Sequence, residues 1–84
     1  PPLTEDRRKD LVKHLHKVLE NHRTAMRNIR RDLKEALDRL EKEKTISEDE
    51  HRRSLDELDR LTHSETKKIE DLSATKEKEV MEIK

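Results

Sequence analysis

The chain has no cysteine, no glycine and no aromatic residue, and only two of its 84 residues are proline. Without cysteine there is no disulfide staple, and the redox setting leaves no mark. Without Phe, Tyr or Trp any core must be thin aliphatic packing, since only 27% of residues are apolar. The same absence removes the platform on which proteins stack single-stranded bases. No apolar run is long enough to span a bilayer and nothing resembles a signal peptide, so a soluble protein is expected. On composition alone the chain lies near the disordered class. Hydrophobic periodicity moves it to folded helix.

Charge is what the chain has in abundance. Half of its residues are charged, and they sum to zero. Residues 1–46 carry 13 Lys/Arg against 9 Asp/Glu, a balance of +4. Residues 47–84 carry 8 against 12, a balance of −4. A basic arm followed by an acidic arm suits either mutual packing or a one-sided footprint for a polyanion.

The expected fold is all-α. Pro1-Pro2 biases the start toward extended backbone, and Thr4 then stands as an N-cap ahead of the helix-favouring anions Glu5 and Asp6. Apolar or semi-apolar residues fall at 11, 15, 18, 22, 26, 29, 33, 36 and 40. That period of roughly 3.6 predicts a nearly straight helix, about 60 Å long at ~1.5 Å per residue. Ser47-Glu48-Asp49-Glu50 fits the capping box, in which hydroxyl and carboxylate reciprocally satisfy two backbone amides. The spacing therefore predicts a helix at about 4–43, a turn at about 44–47 and a second helix at about 48–83. So short a turn makes the helices antiparallel neighbours.

The second arm has its seam at 55, 58, 62, 65, 69, 72, 76, 80 and 83. Thr62, Glu65 and Lys76 weaken it, and it should be loosest between about Thr62 and Thr66. The first arm's stripe is wider, about 120° at 100° per residue, because Val12, Leu19, Met26 and Leu37 flank the seam. One partner helix covers less than that. The hairpin is therefore expected to be two-thirds of a three-helix bundle, completed by a third helix or by self-association. A core of this size rarely yields more than ~3–5 kcal/mol, so marginal stability is expected in isolation.

Nothing in the sequence joins a Ser or Thr to a positioned base, so no catalytic residue is expected. His14 and His16 lie about 200° apart on a helix and cannot chelate together. His22 falls on the apolar seam as a packing histidine, and His51 and His63 are too far apart for one ion. No metal, cofactor or small-molecule substrate is expected.

The remaining signal is a row of cations. Arg23, Arg27, Arg30 and Lys34 recur at steps of four, three and four and share one helix face. Arg27 and Arg30 have no acidic residue three or four positions away on their own helix. Their counter-charges are therefore expected on another molecule, and arginine's planar fork favours phosphate. A merely solvated charged face is the plain alternative. Without aromatics, structured nucleic-acid backbone is the expected target.

At these residues the chain resembles ribosome recycling factor. The likeness runs through the proline-led start PPLTEDRRKDLVK, the central AMRNIRRD, the turn KEKTISEDE and the tail LTHSETKKIEDL…KEKEVMEIK. That family has a three-helix bundle with a β/α/β domain inserted after the first helix, and this chain resembles the second and third helices. The resemblance implies a non-enzymatic translation factor that binds large-subunit rRNA across the A and P sites. With elongation factor G such factors split post-termination ribosomes. It implies rRNA contacts at Arg8, Arg27 and Arg30, with Arg23, Arg31 and Lys34 in support. It also implies bacterial cytoplasm or an organellar matrix or stroma. The first helix and the inserted domain are missing from the likeness, and Glu65 and Thr66 replace residues commonly apolar in the family. Two other readings share the hairpin: a structural interaction module with no nucleic-acid role, and a tRNA-binding helical arm.

Overall fold

The structure is a computed structural model and describes residues 4–82. Helix α1 spans Glu5–Lys42 and helix α2 spans Glu48–Glu82, antiparallel and joined by one tight turn. The described residues contain no strand. The hairpin measures 63 × 16 × 12 Å. Pro1-Pro2 and the seam position Ile83 lie outside the described residues.

Both helix starts follow from local chemistry. The Thr4 hydroxyl accepts from the Arg7 amide at 3.1 Å. At the second start the Ser47 amide donates to Glu50 Oε1 at 3.2 Å, and the Glu50 amide donates to Ser47 Oγ at 3.0 Å. This reciprocal pair is the expected capping box.

The end of α1 falls where the turn was expected, but the form of its cap left no signal in the sequence. Lys44 adopts a left-handed backbone with φ of 60°. Its amide donates to the Glu41 carbonyl at 3.0 Å, and the Thr45 amide donates to the Leu40 carbonyl at 2.9 Å. Those two bonds define a Schellman cap, whose left-handed position is usually glycine. In a chain without glycine, lysine takes the strained place.

The packing corrects the expected seam. On α1 the half-buried apolar residues are Val12, Leu15, Leu19, Met26, Ala36, Leu37 and Leu40. Leu11, Val18, Ile29 and Leu33, expected at the centre of the stripe, remain exposed. On α2, Leu55, Leu58, Thr62, Ile69 and Val80 are half-buried, whereas Glu65, Leu72 and Lys76 are exposed. The wide stripe lets α2 settle on one flank, leaving the other uncovered.

No apolar residue among the described ones is fully buried, and the single buried side chain is Ser73. A small residue lets two helix backbones approach closely, so its own little surface vanishes while longer neighbours splay outward. The helix stays unbroken through the polar stretch at Thr62, whose hydroxyl donates to the Leu58 carbonyl at 2.7 Å.

Candidate nucleic-acid interface

The nitrogen-bearing side chains of α1 fall into two groups once α2 is in place. One group bridges the helices. His16 Nε2 lies 3.0 Å from Glu77 Oε2. Seven residues on, Arg23 donates through Nε and Nη2 to Glu70 Oε1 at 3.3 and 3.1 Å, and through Nη1 to Glu20 at 3.2 Å. Seven further, Arg30 donates through Nε to Asp59 Oδ1 at 2.7 Å. These three side chains repeat every two turns and line one edge of the hairpin. The acids Glu77, Glu70 and Asp59 answer from α2.

Arg30 therefore corrects the expectation that it lacks a counter-charge within the chain. Only neighbours on its own helix enter an i±3, i±4 rule, and its acid comes from the opposite helix. The partners Asp59, Glu70 and Glu77 escaped the sequence reading. Their signal was present in the mirrored distances of Arg23 and Glu70, or His16 and Glu77, from the turn.

The bridging arginines are not lost to solvent. The side chains of Arg23 and Arg30 remain 40% and 43% exposed. A guanidinium carries five donors, so each keeps unused N–H groups after its carboxylate contacts. Hydrogen bonds donated to Glu70 and then to Glu20 hold the Arg23 guanidinium above its ordinary pKa. It stays a permanent cation.

The second group faces outward. Arg27 is 71% exposed, and its nearest acid, Glu20 on the same helix, stands 3.8 Å away. The Thr24 hydroxyl, at 3.3 Å, is its other polar contact. Arg31 is 61% exposed and reaches only its sequence neighbour Asp32, at 3.4 Å. Lys34 pairs with Asp38 at 2.9 Å. Such surface pairs are worth about 0–1 kcal/mol and are readily exchanged for a stronger anion.

Arg8 stands apart. It is half-buried, about four helical turns from Arg23. Its Nε is buried without a hydrogen-bond partner among the described residues. The structure thus brings Arg23, Arg27, Arg30, Arg31 and Lys34 together along the middle of α1 and leaves Arg8 near its start.

Near the turn, Asp38 accepts from Lys34 at 2.9 Å and lies 2.7 Å from His51 Nε2 on α2. The His51 contact, followed by Lys34, holds the Asp38 carboxyl below its usual range. The described residues contain no group of three side chains able to hold a metal ion. None of their helices is long and apolar enough to cross a membrane.

Fold and surface together define an all-α hairpin with an arginine-rich edge and one uncovered apolar face. The model of the ribosome recycling factor family matches residues 1–81, and the chain belongs to that family. It is 51% identical over 83 residues to the ribosome-recycling factor of Symbiobacterium thermophilum, covering 99% of this chain and 45% of that protein. It is 52% identical over 84 residues to the ribosome-recycling factor of a Hydrogenobaculum species, covering 100% of this chain and 44% of the relative. The factor of Chlorobium phaeovibrioides is 48% identical over 83 residues, or 99% and 45% of the two chains. The chain thus spans a little under half the length of these curated relatives.

Proposed function

We propose that this chain is the rRNA-binding helical part of a ribosome recycling factor, gripping the large-subunit backbone through the arginine edge of α1. Membership of the family supports recycling as the process. The observation that carries the binding site is the outward pair Arg27 and Arg31, the least committed arginines on that edge. Arg23, Arg30 and Lys34 add donors from the same face, and Arg8 extends the contact toward the start of α1. Arginine forks match phosphate oxygens in pairs, and each contact releases condensed counterions, so binding should weaken steeply with salt. With elongation factor G, the complete factor splits the post-termination ribosome into subunits. The chain's own part is binding, without catalysis.

Co-sedimentation with large ribosomal subunits tests this reading. A complete factor carrying Arg27→Ala with Arg31→Ala should lose retention at moderate salt. Retention equal to the parent's removes these residues from the interface.

A further inference from the structure

From Leu11 to Arg31 helix α1 holds six Lys and Arg residues and a single acid, Glu20. That one carboxylate sits between two arginines of the cationic edge, with one oxygen turned to each. Glu20 Oε2 lies 3.2 Å from Arg23 Nη1, and Oε1 lies 3.8 Å from Arg27 Nη2. The first is a hydrogen bond; the second is too long for one but close enough for attraction.

Arg23 is steadied for this arrangement from the opposite helix. Its Nε and Nη2 donate to Glu70 on α2, while Nη1 donates to Glu20. Arg27 is steadied locally, since its Nη2 also donates to the Thr24 hydroxyl at 3.3 Å. Two guanidiniums, each held by a further partner, thus converge on one anion. A backbone phosphodiester offers what the Glu20 carboxylate offers, two oxygens sharing one negative charge. Arginine recognises both groups with the same N–H donors.

We propose that Arg23 and Arg27 form one subsite for a single RNA backbone phosphate, and that Glu20 occupies this subsite in the free chain as its internal competitor. This inference rests on the rRNA reading and adds to it the seat of one phosphate and the group displaced from that seat. Glu20 is well placed to leave. Its side chain is 59% exposed and is held only through these two arginines among the described residues. Rotation about its own side-chain bonds clears the site without moving the backbone. Exposed ion pairs weigh at most about fivefold each in an equilibrium. A phosphate chain that also engages Arg30 and Arg31 outbids them by adding contacts that Glu20 does not have. The competitor therefore makes binding weaker than the bare cations would give.

Filter binding of the complete factor to large-subunit rRNA at ~0.1 M salt tests the proposal, because exposed charges beyond about 10 Å are screened there. Glu20→Gln keeps the shape, removes the charge and should tighten binding about threefold to tenfold. Asp10→Asn removes the same charge from an exposed site ten residues away on α1. At a distance of about 15 Å it should change affinity less than about 1.5-fold. In a factor that already carries Arg23→Ala with Arg27→Ala, Glu20→Gln should gain no more than Asp10→Asn does. Each variant is compared at helical circular dichroism equal to the parent's.

A Glu20→Gln factor that binds no tighter than the parent overturns the proposal. So does a gain that Asp10→Asn matches, or one that survives the loss of both arginines. If the factor lacking Arg23 and Arg27 itself binds as tightly as the parent, the rRNA reading of these two residues fails and the subsite fails with it. If that factor binds weakly while the Glu20 results go the wrong way, the rRNA reading stands and only the competitor is struck out.

Discussion

Arg30 and Asp59 meet across the hairpin, with Nε and Nη2 of the guanidinium both 2.7 Å from the same carboxylate oxygen, Oδ1. The pair ties the basic helix to the acidic one while leaving part of the guanidinium in solvent. Half-exposed ion pairs of this kind contribute about 0.2–1 kcal/mol. Asp59→Ala should therefore lower hairpin stability by less than ~1 kcal/mol in urea titration. It should also leave rRNA affinity of the complete factor equal or stronger, because Arg30 is freed. A marked loss of affinity would show that Asp59 holds Arg30 in its binding posture.

Arg27 is expected to behave in the opposite way. Having no cross-helix acid, it can be removed with little change in thermal midpoint. In the complete factor, each of Arg27→Ala and Arg31→Ala should flatten the dependence of log affinity on log salt by about one unit. Filter binding to large-subunit rRNA over a salt series measures this. An unchanged slope would mean that the side chain does not contact phosphate.

The turn should respond to two substitutions of opposite sign. Lys44→Gly removes the cost of a side chain at a left-handed backbone and should stabilise the hairpin by about 1 kcal/mol. Ser47→Ala deletes the cap of α2 and should destabilise by about 1 kcal/mol. Chemical denaturation of both variants measures the pair of shifts. A destabilising glycine would mean that the lysine side chain itself holds the turn.

Acid should loosen the end of the hairpin near the turn. The Asp38 carboxyl is held below its ordinary value by His51 and Lys34. A group depressed in the folded state adds stability above its unfolded pKa of about 3.9, which is lost as pH falls through the lower folded value. Asp38→Asn should reduce the acid-side slope of stability below about pH 4, leaving other carboxylates to supply the rest. An identical slope in both proteins would mean that Asp38 gains nothing from folding.

Ser73 sets how closely the helices approach. Its near-complete burial leaves no room for a larger group. Ser73→Leu should push the helices apart there and cost about 1–3 kcal/mol. Stabilisation instead would reveal slack in the groove beside Ile69 and Leu72.

Much of this molecule could be read residue by residue. Thr4 and the Ser47–Glu50 box mark the starts of the helices, and a period near 3.6 carries both of them. The over-wide stripe of the first arm announced an uncovered flank, which Leu11, Val18, Ile29 and Leu33 now form. The turn itself was legible, but the left-handed backbone of Lys44 within it was hidden, because glycine is its usual signal and the chain has none. The choice between seam and flank was hidden as well. Val12 and Leu11 are equally apolar, so periodicity does not say which of two adjacent lines meets the other helix.

Short-range chemistry, acting within a few residues, accounts for the number of helices, their starts and their antiparallel return. The approach of α2 decided which cations stay free. It took Arg23 and Arg30 into bridges with Glu70 and Asp59 and left Arg27 and Arg31 facing solvent. Opposite charges far apart along the chain act on one another only after packing has brought them within a few ångströms. That distance is a property of two helices together and of neither one alone.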